Sequence, residues 1–161
     1  MNKTAIRKFA EWAREKLIED IKYKAGTVGI TENGIAEELP QSTSDMYFYD
    51  VGTKDYAKIS SIEIKQRDAL VKAIQTKECS YKSYREAFEN VIEEVAYTWF
   101  NRLIAIRFME VNDYLPSGVR VLSSENKEKK EPDLVTTPFD TDLEFTSYEQ
   151  DRIIQLKDDN K

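Results

Sequence analysis

The sequence predicts a mainly α protein: a helical bundle with a long central helix and a short strand or hairpin after it. Three observations carry that prediction. Between Gly52 and Pro116 there is neither glycine nor proline, a run that long helices permit and turn-rich β folds do not. Apolar side chains recur at spacings of three and four in the first two dozen residues and again from about Tyr81 to Asn112, the period of an amphipathic helix. Finally, the stretch from Val95 to Val111 is so dense in large apolar residues that its helix is expected at the centre of the bundle.

The elements follow in order. Residues 3–24 form the first predicted helix, with Ile6, Phe9, Ala13, Leu17 and Ile21 on one face. Asn2 or Thr4 is suited to cap its start and Gly26 to end it; Trp12 lies beside the stripe and is expected to pack with it. From Thr27 to Thr53 the period dissolves at Gly29, Asn33-Gly34, Pro40 and Gly52, so this stretch reads as loop, with MYFYD at 46–50 as a short strand or a segment pinned by its rings. A second helix is expected from about Ser60 to Thr76 on Ile62, Leu70, Val71 and Ile74, with a break near Cys79-Ser80.

The long helix, about Tyr81 to Asn112, carries Ala87, Phe88, Val91, Ile92, Val95, Trp99, Leu103, Ile106 and Val111. Its core is predicted at Trp99, Phe100, Leu103, Ile106 and Glu110, with Trp99 and Phe100 buried against the first helix. Leu115-Pro116-Ser117-Gly118 stops it. VRVLSS at 119–124 has the branched alternation of a strand; ENKEKKEPD reads as a solvated loop and TTPFDTDLEF as an extended acidic segment. A last helix is expected after Ser147, as its cap, with Ile153, Ile154 and Leu156 apolar, running to Lys161 without a glycine or proline stop. This divides the chain into a helical bundle at 1–112, an extended acidic segment at 113–147 and, at 148–161, the start of a further helix in a larger protein.

Composition narrows the function. A chain of 161 residues, 40% apolar and 34% charged, is long enough for one domain with its own core. No run approaches the roughly 18 apolar residues of a membrane span, and MNKTAIRKFAEW lacks the apolar block of a signal peptide. A lone cysteine, Cys79, forms no internal disulfide and suits a cytoplasmic protein; beside Glu78, without a histidine, it reads as an inert thiol. The chain has no histidine, which excludes Ser-His-Asp and Cys-His catalysis and a Cys/His zinc site. A net charge of −6 argues against a chain devoted wholly to nucleic acid. The charge is uneven: Lys3, Arg7, Lys8, Arg14, Lys16, Lys22 and Lys24 crowd the start, whereas the stretch from Glu131 to Asp151 holds seven acids and no base.

The wording YTWFNRLIAIRFMEVN, followed by LPSGVRVLSSE, resembles the N-terminal region of the PglX family, the adenine-specific DNA methyltransferases of BREX phage-resistance systems. The likeness extends more loosely through KFAEWAREKLIEDIKYKAGTVGITE. Related wording occurs in large fused restriction-modification enzymes. The resemblance implies a parent that uses S-adenosylmethionine to methylate adenine N6 in double-stranded DNA. Such chemistry needs a glycine-rich turn for the cofactor and an Asn/Asp-Pro-Pro-aromatic motif for the flipped base. This chain has no Gly-x-Gly and no Pro-Pro; the resemblance implies that both lie downstream. No catalytic, cofactor or metal ligand is therefore assigned here. Implied partners are DNA through the parent, the downstream methyltransferase domain and other BREX proteins, with no membrane.

Asn101, Arg102, Arg107 and Glu110, set into the apolar helix, are the strongest constellation. The arginines either reach a phosphate or a following domain, or they satisfy internal acids, with Glu110 the nearest partner for Arg107; an unpaired buried guanidinium is too costly to stand. Tyr97, Trp99, Phe100 and Phe108 have the form of a base-stacking platform, but aromatics at helical spacing are more often core. Lys3, Arg7, Lys8, Arg14 and Lys22 are candidate DNA-backbone contacts; their interleaving with Glu11, Glu15, Glu19 and Asp20 equally describes an ordinary solvated face. Glu63-Ile64-Lys65 has the form of a nuclease motif, but within a helical pattern it is a chance match. Met1 reads as a natural start, with no nuclease core ahead of it. The alternatives are a free-standing helical adaptor and the equivalent region of a fused restriction-modification enzyme.

Overall fold

The computed structural model describes residues 2–60 and 62–159, with side chains through Lys157. It divides into two compact units, Met1–Phe100 and Asn101–Lys161. Helices dominate, joined in the first unit by two short antiparallel strand pairs.

The first unit opens with α1, Lys3–Gly26. The Asn2 carboxamide oxygen caps it by accepting the N–H groups of Thr4 at 3.1 Å and Ala5 at 3.2 Å, satisfying donors that the first helical turn leaves orphaned. Gly26 is the last helical residue rather than the stop. The ending falls to Thr27, whose hydroxyl donates to the Lys24 carbonyl at 2.7 Å. Two strands, β1 (Ile30–Thr31) and β2 (Gly34–Ile35), then form a hairpin around Asn33-Gly34. Gly29, just before it, has φ +75°, and a Cβ there would meet the Ala36 Cβ at 2.7 Å, so only glycine fits this approach.

A second hairpin pairs β3 (Met46–Tyr49) with β4 (Ala57–Ser60), Tyr47 opposite Ile59 and Tyr49 opposite Ala57. The MYFY reading as a strand holds. The reading of 27–53 as loop missed β1 and β2, and β4 was not anticipated either, because strands of two to four residues fall below the length at which alternation is visible. After β4 come α2, Ile62–Glu78, and α3, Tyr84–Val111.

The core of this unit is Ala25, Ile30, Ile74, Ala87, Phe88, Val91 and Ile92, with Ile18, Ile21, Leu70, Val71 and Val95 packed on it. It therefore sits on the first half of α3. Burying each large apolar side chain contributes about 1.5–3 kcal/mol, so Phe88, Ile30, Ile74 and Ile92, all fully enclosed, anchor the helices to β1. The expected centre, Trp99, is a correction: it stands 47% exposed.

A buried arginine that the apolar pattern did not single out ties the layers together. Arg67 of α2 is only 8% exposed. Its Nε donates to the Val28 carbonyl at 2.9 Å and an Nη to the Ala36 carbonyl at 2.8 Å, while its guanidinium carbon lies 3.7 Å from the centroid of the Tyr49 ring. Two carbonyl dipoles and an aromatic face thus support the buried cation. One side chain joins α2 to both hairpins.

The second unit begins with the last turns of α3. It contains α4 (Asp133–Thr136), a 3-10 turn at Pro138–Asp140 and α5 (Ser147–Asp159). Residues 119–124 form no strand, which corrects the expectation from their branched alternation. Their backbone donors go to a side chain, Glu110, instead of a ladder. Thr146, not Ser147, caps α5: its N–H and hydroxyl both donate to the Glu149 carboxylate at 2.9 and 2.8 Å, and its Oγ1 accepts the Glu149 N–H at 3.3 Å. This is a reciprocal capping box. The predicted end of this helix at Lys161 lies outside the described residues.

Candidate functional site

Glu110 is the best-satisfied charged group of the second unit. Its residue is 3% exposed. One carboxylate oxygen accepts the consecutive N–H groups of Val121 at 2.9 Å and Leu122 at 2.6 Å. The other accepts the Ser123 hydroxyl at 2.6 Å and an N–H of Arg107. Arg107, one helical turn back, also donates to Ser123 Oγ at 2.8 Å, so the three side chains form a closed triangle. Burial by itself would raise the Glu110 carboxyl. The Ser123 hydroxyl, the Leu122 N–H, the Arg107 guanidinium and the Val121 N–H together outweigh it and hold the group below the usual carboxylate range.

This arrangement is a latch between the end of α3 and the 119–124 segment. Gly118, just ahead of this segment, has φ +67°, and a Cβ there would meet the Asp142 carboxylate at 2.5 Å. Farther on, Asp133 accepts the Ser124 hydroxyl at 2.6 Å and the Glu125 N–H at 2.8 Å, pinning the same chain from its other end. Arg107 keeps about half of its side chain exposed, so it is both a structural partner and a surface cation.

The other predicted site residues are scattered. On α1, Lys3, Arg7, Lys8 and Arg14 are exposed and Lys22 is half-buried. Arg7 approaches Glu11 at 3.8 Å, and Arg14 is paired with Glu93 of α3, which holds its guanidinium firmly charged. Lys16 bridges Glu19 at 3.2 Å and Asp20 at 2.8 Å. Much of the α1 charge is thus spent on neighbouring acids. Arg102 is exposed. Of the predicted core, Phe100, Leu103 and Ile106 are half-buried, and Phe100 meets Phe9 of α1 with ring centroids 6.5 Å apart. Tyr97 and Phe108 are exposed.

Among the described residues, no cluster of three or more His, Cys, Asp or Glu side chains could hold a metal ion, and no helix is long and apolar enough to cross a membrane. The described strands are short antiparallel pairs, and β4 leads to α2 without a glycine. What the residues offer is a helical first unit and, in the second unit, a segment latched to the end of α3.

Comparison with known proteins gives this chain a context. The chain is 47% identical over 151 residues, 94% of its length, to the adenine-specific methyltransferase PglX of Lacticaseibacillus casei (strain Zhang). The match is to one part of a PglX-type methyltransferase. It covers only 12% of that relative. A second relative, the adenine-specific methyltransferase BrxX of Escherichia coli O9:H4 (strain HS), is 34% identical over 128 residues, 76% of this chain and 9% of the relative. The chain therefore spans about a tenth of the curated relatives it matches. No family model and no solved structure matches it. The likeness read from residues 94–125 thus extends over almost the whole chain.

Proposed function

We propose that this chain is the N-terminal helical module of a site-specific DNA adenine-N6 methyltransferase of a BREX phage-defence system, and that it scaffolds the catalytic domain without taking part in the chemistry. The observation that carries the reading is the 47% identity across 94% of the chain to a methyltransferase of which it covers 12%. A piece so small, without Gly-x-Gly or Pro-Pro, leaves cofactor and base recognition to the remainder. Scaffolding is favoured over clamping DNA because, of the candidate cations on α1, Arg14 is committed to Glu93 and Arg7 lies beside Glu11, and the chain as a whole carries a net charge of −6. Phosphate neutralisation needs cations in surplus.

The test is made on the complete gene product. Its purified form is expected to transfer a methyl group from S-adenosylmethionine to adenine N6 in DNA, while residues 1–161 alone show no heat of cofactor binding by calorimetry. Absence of methyl transfer by the complete protein removes the reading. Cofactor binding by residues 1–161 removes its non-catalytic part.

A further inference from the structure

Within the first unit, an apolar groove of about 430 Å³ runs between α1 and α3, lined by Ala10, Arg14, Asn90, Ala96, Tyr97 and Phe100. Phe9, Trp12 and Tyr97 on its two helices are 49%, 60% and 68% exposed. The Phe9 ring lies 6.0 Å from Trp12 and 6.5 Å from Phe100, so the aromatics are continuous across the helix pair.

We propose that this groove is covered by the remainder of the same, longer polypeptide, which seats an apolar side chain against Tyr97 and Phe100. The inference rests on the module reading above. Two observations select this occupant. The ions bordering the groove are already neutralised, Arg14 by Glu93 and Lys77 by Glu94, so nothing there draws a nucleic-acid phosphate.

The second is size. Three aromatic side chains about three-fifths exposed offer roughly 270–440 Å², well below the ~800 Å² per partner of a stable free-standing interface. A second copy would not hold there at ordinary concentrations. A covalently linked domain acts at an effective concentration on the order of millimolar, at which so small a patch suffices. The curated relatives carry about nine-tenths of their length outside the matched part, which supplies such a domain.

Hydroxyl-radical footprinting read by mass spectrometry tests this, comparing residues 1–161 with the complete gene product. Phe9, Trp12 and Tyr97 are expected to oxidise about fivefold more slowly in the complete protein, as contacts at the centre of an interface exclude water, with protection unchanged by dilution. Tyr97→Glu, at an exposed position, should leave the melting temperature of residues 1–161 unchanged and restore oxidation of Phe9 and Trp12 in the complete protein. Equal oxidation in the two forms overturns the inference, and protection that disappears on dilution overturns it in favour of a second copy. Methyl transfer measured on the same samples separates the two readings. Protection without methylation removes the proposed function and leaves the groove assignment standing; methylation without protection does the reverse.

Discussion

Replacing Glu110 with alanine is expected to release the segment from Val119 to Ser124 while α3 stays helical. The carboxylate serves four donors: two backbone N–H groups, the Ser123 hydroxyl and the Arg107 guanidinium. Arg107 is half exposed and can turn to water. The Val121 and Leu122 amides are partly buried, and each donor left unmet costs about 1–3 kcal/mol. The sum falls at about 3–5 kcal/mol, the range for breaking a buried ion pair from one side. The assay is amide hydrogen exchange at Val121 and Leu122, where that loss should speed exchange by roughly two to three powers of ten. Glu110→Gln keeps an acceptor and should recover part of the protection. The same latch is acid-sensitive. A carboxyl whose folded value is depressed gives stability that is fully present above its unfolded value, near 4.3, and is lost as pH falls through the folded value. Protection at Val121 and Leu122 should therefore persist at neutral pH and fade only below about pH 4. If Glu110→Ala leaves exchange at these amides unchanged, the latch is not what holds the segment.

Further outcomes follow from the first unit. Arg67→Met keeps the bulk but removes both carbonyl contacts and the charge over Tyr49, and a urea melt should show a loss of about 2–4 kcal/mol; an unchanged midpoint would deny the staple. Phe88→Ala is expected to cost about 3–5 kcal/mol and Trp99→Ala only about 1–2 kcal/mol, so equal melting temperatures in the two variants would contradict the placement of the core. Thr146→Ala removes one half of the α5 capping box and should lower helix content slightly by circular dichroism, with a cost of about 1 kcal/mol.

Long elements were legible in the sequence because their physics is periodic. The Asn2 cap, the three main helices and the final helix after Ser147 can all be placed to within a few residues from spacing and capping chemistry. The hairpins were not, apart from MYFY, because β1 and β2 are two residues each and their stability comes from Ile30 reaching the core and Arg67 reaching their backbone. Neither contact is local in sequence. Residues 119–124 show the opposite failure. Their alternation is real, but a strand needs a partner strand, and Glu110 offered their amides a carboxylate first. The Arg107 and Glu110 pair was visible at its helical spacing of three; Ser123, the third member, lies 16 residues beyond Arg107 and gave no signal. Arg67 in α2 carries no signal in the apolar spacing, because its partners are backbone carbonyl groups 39 and 31 residues away in sequence.

The misplaced core has the most to say about function. Apolar density along α3 peaks near Trp99, while burial peaks near Phe88 and Ile92. The two would coincide if the helix buried its apolar surface only against residues of this chain. Apolar content reflects all the surface a helix is required to cover, wherever the covering residues lie. On α3 the excess runs through Tyr97, Ile104, Phe108 and Met109, and α1 adds Phe9 and Trp12. A monomer exposing so many large rings without a partner invites aggregation. The sequence-based expectation was therefore wrong about Trp99 within this chain for a reason consistent with the proposed function. On the proposed function, the density that made this stretch look central belongs to a helix whose surroundings extend into the rest of a longer protein.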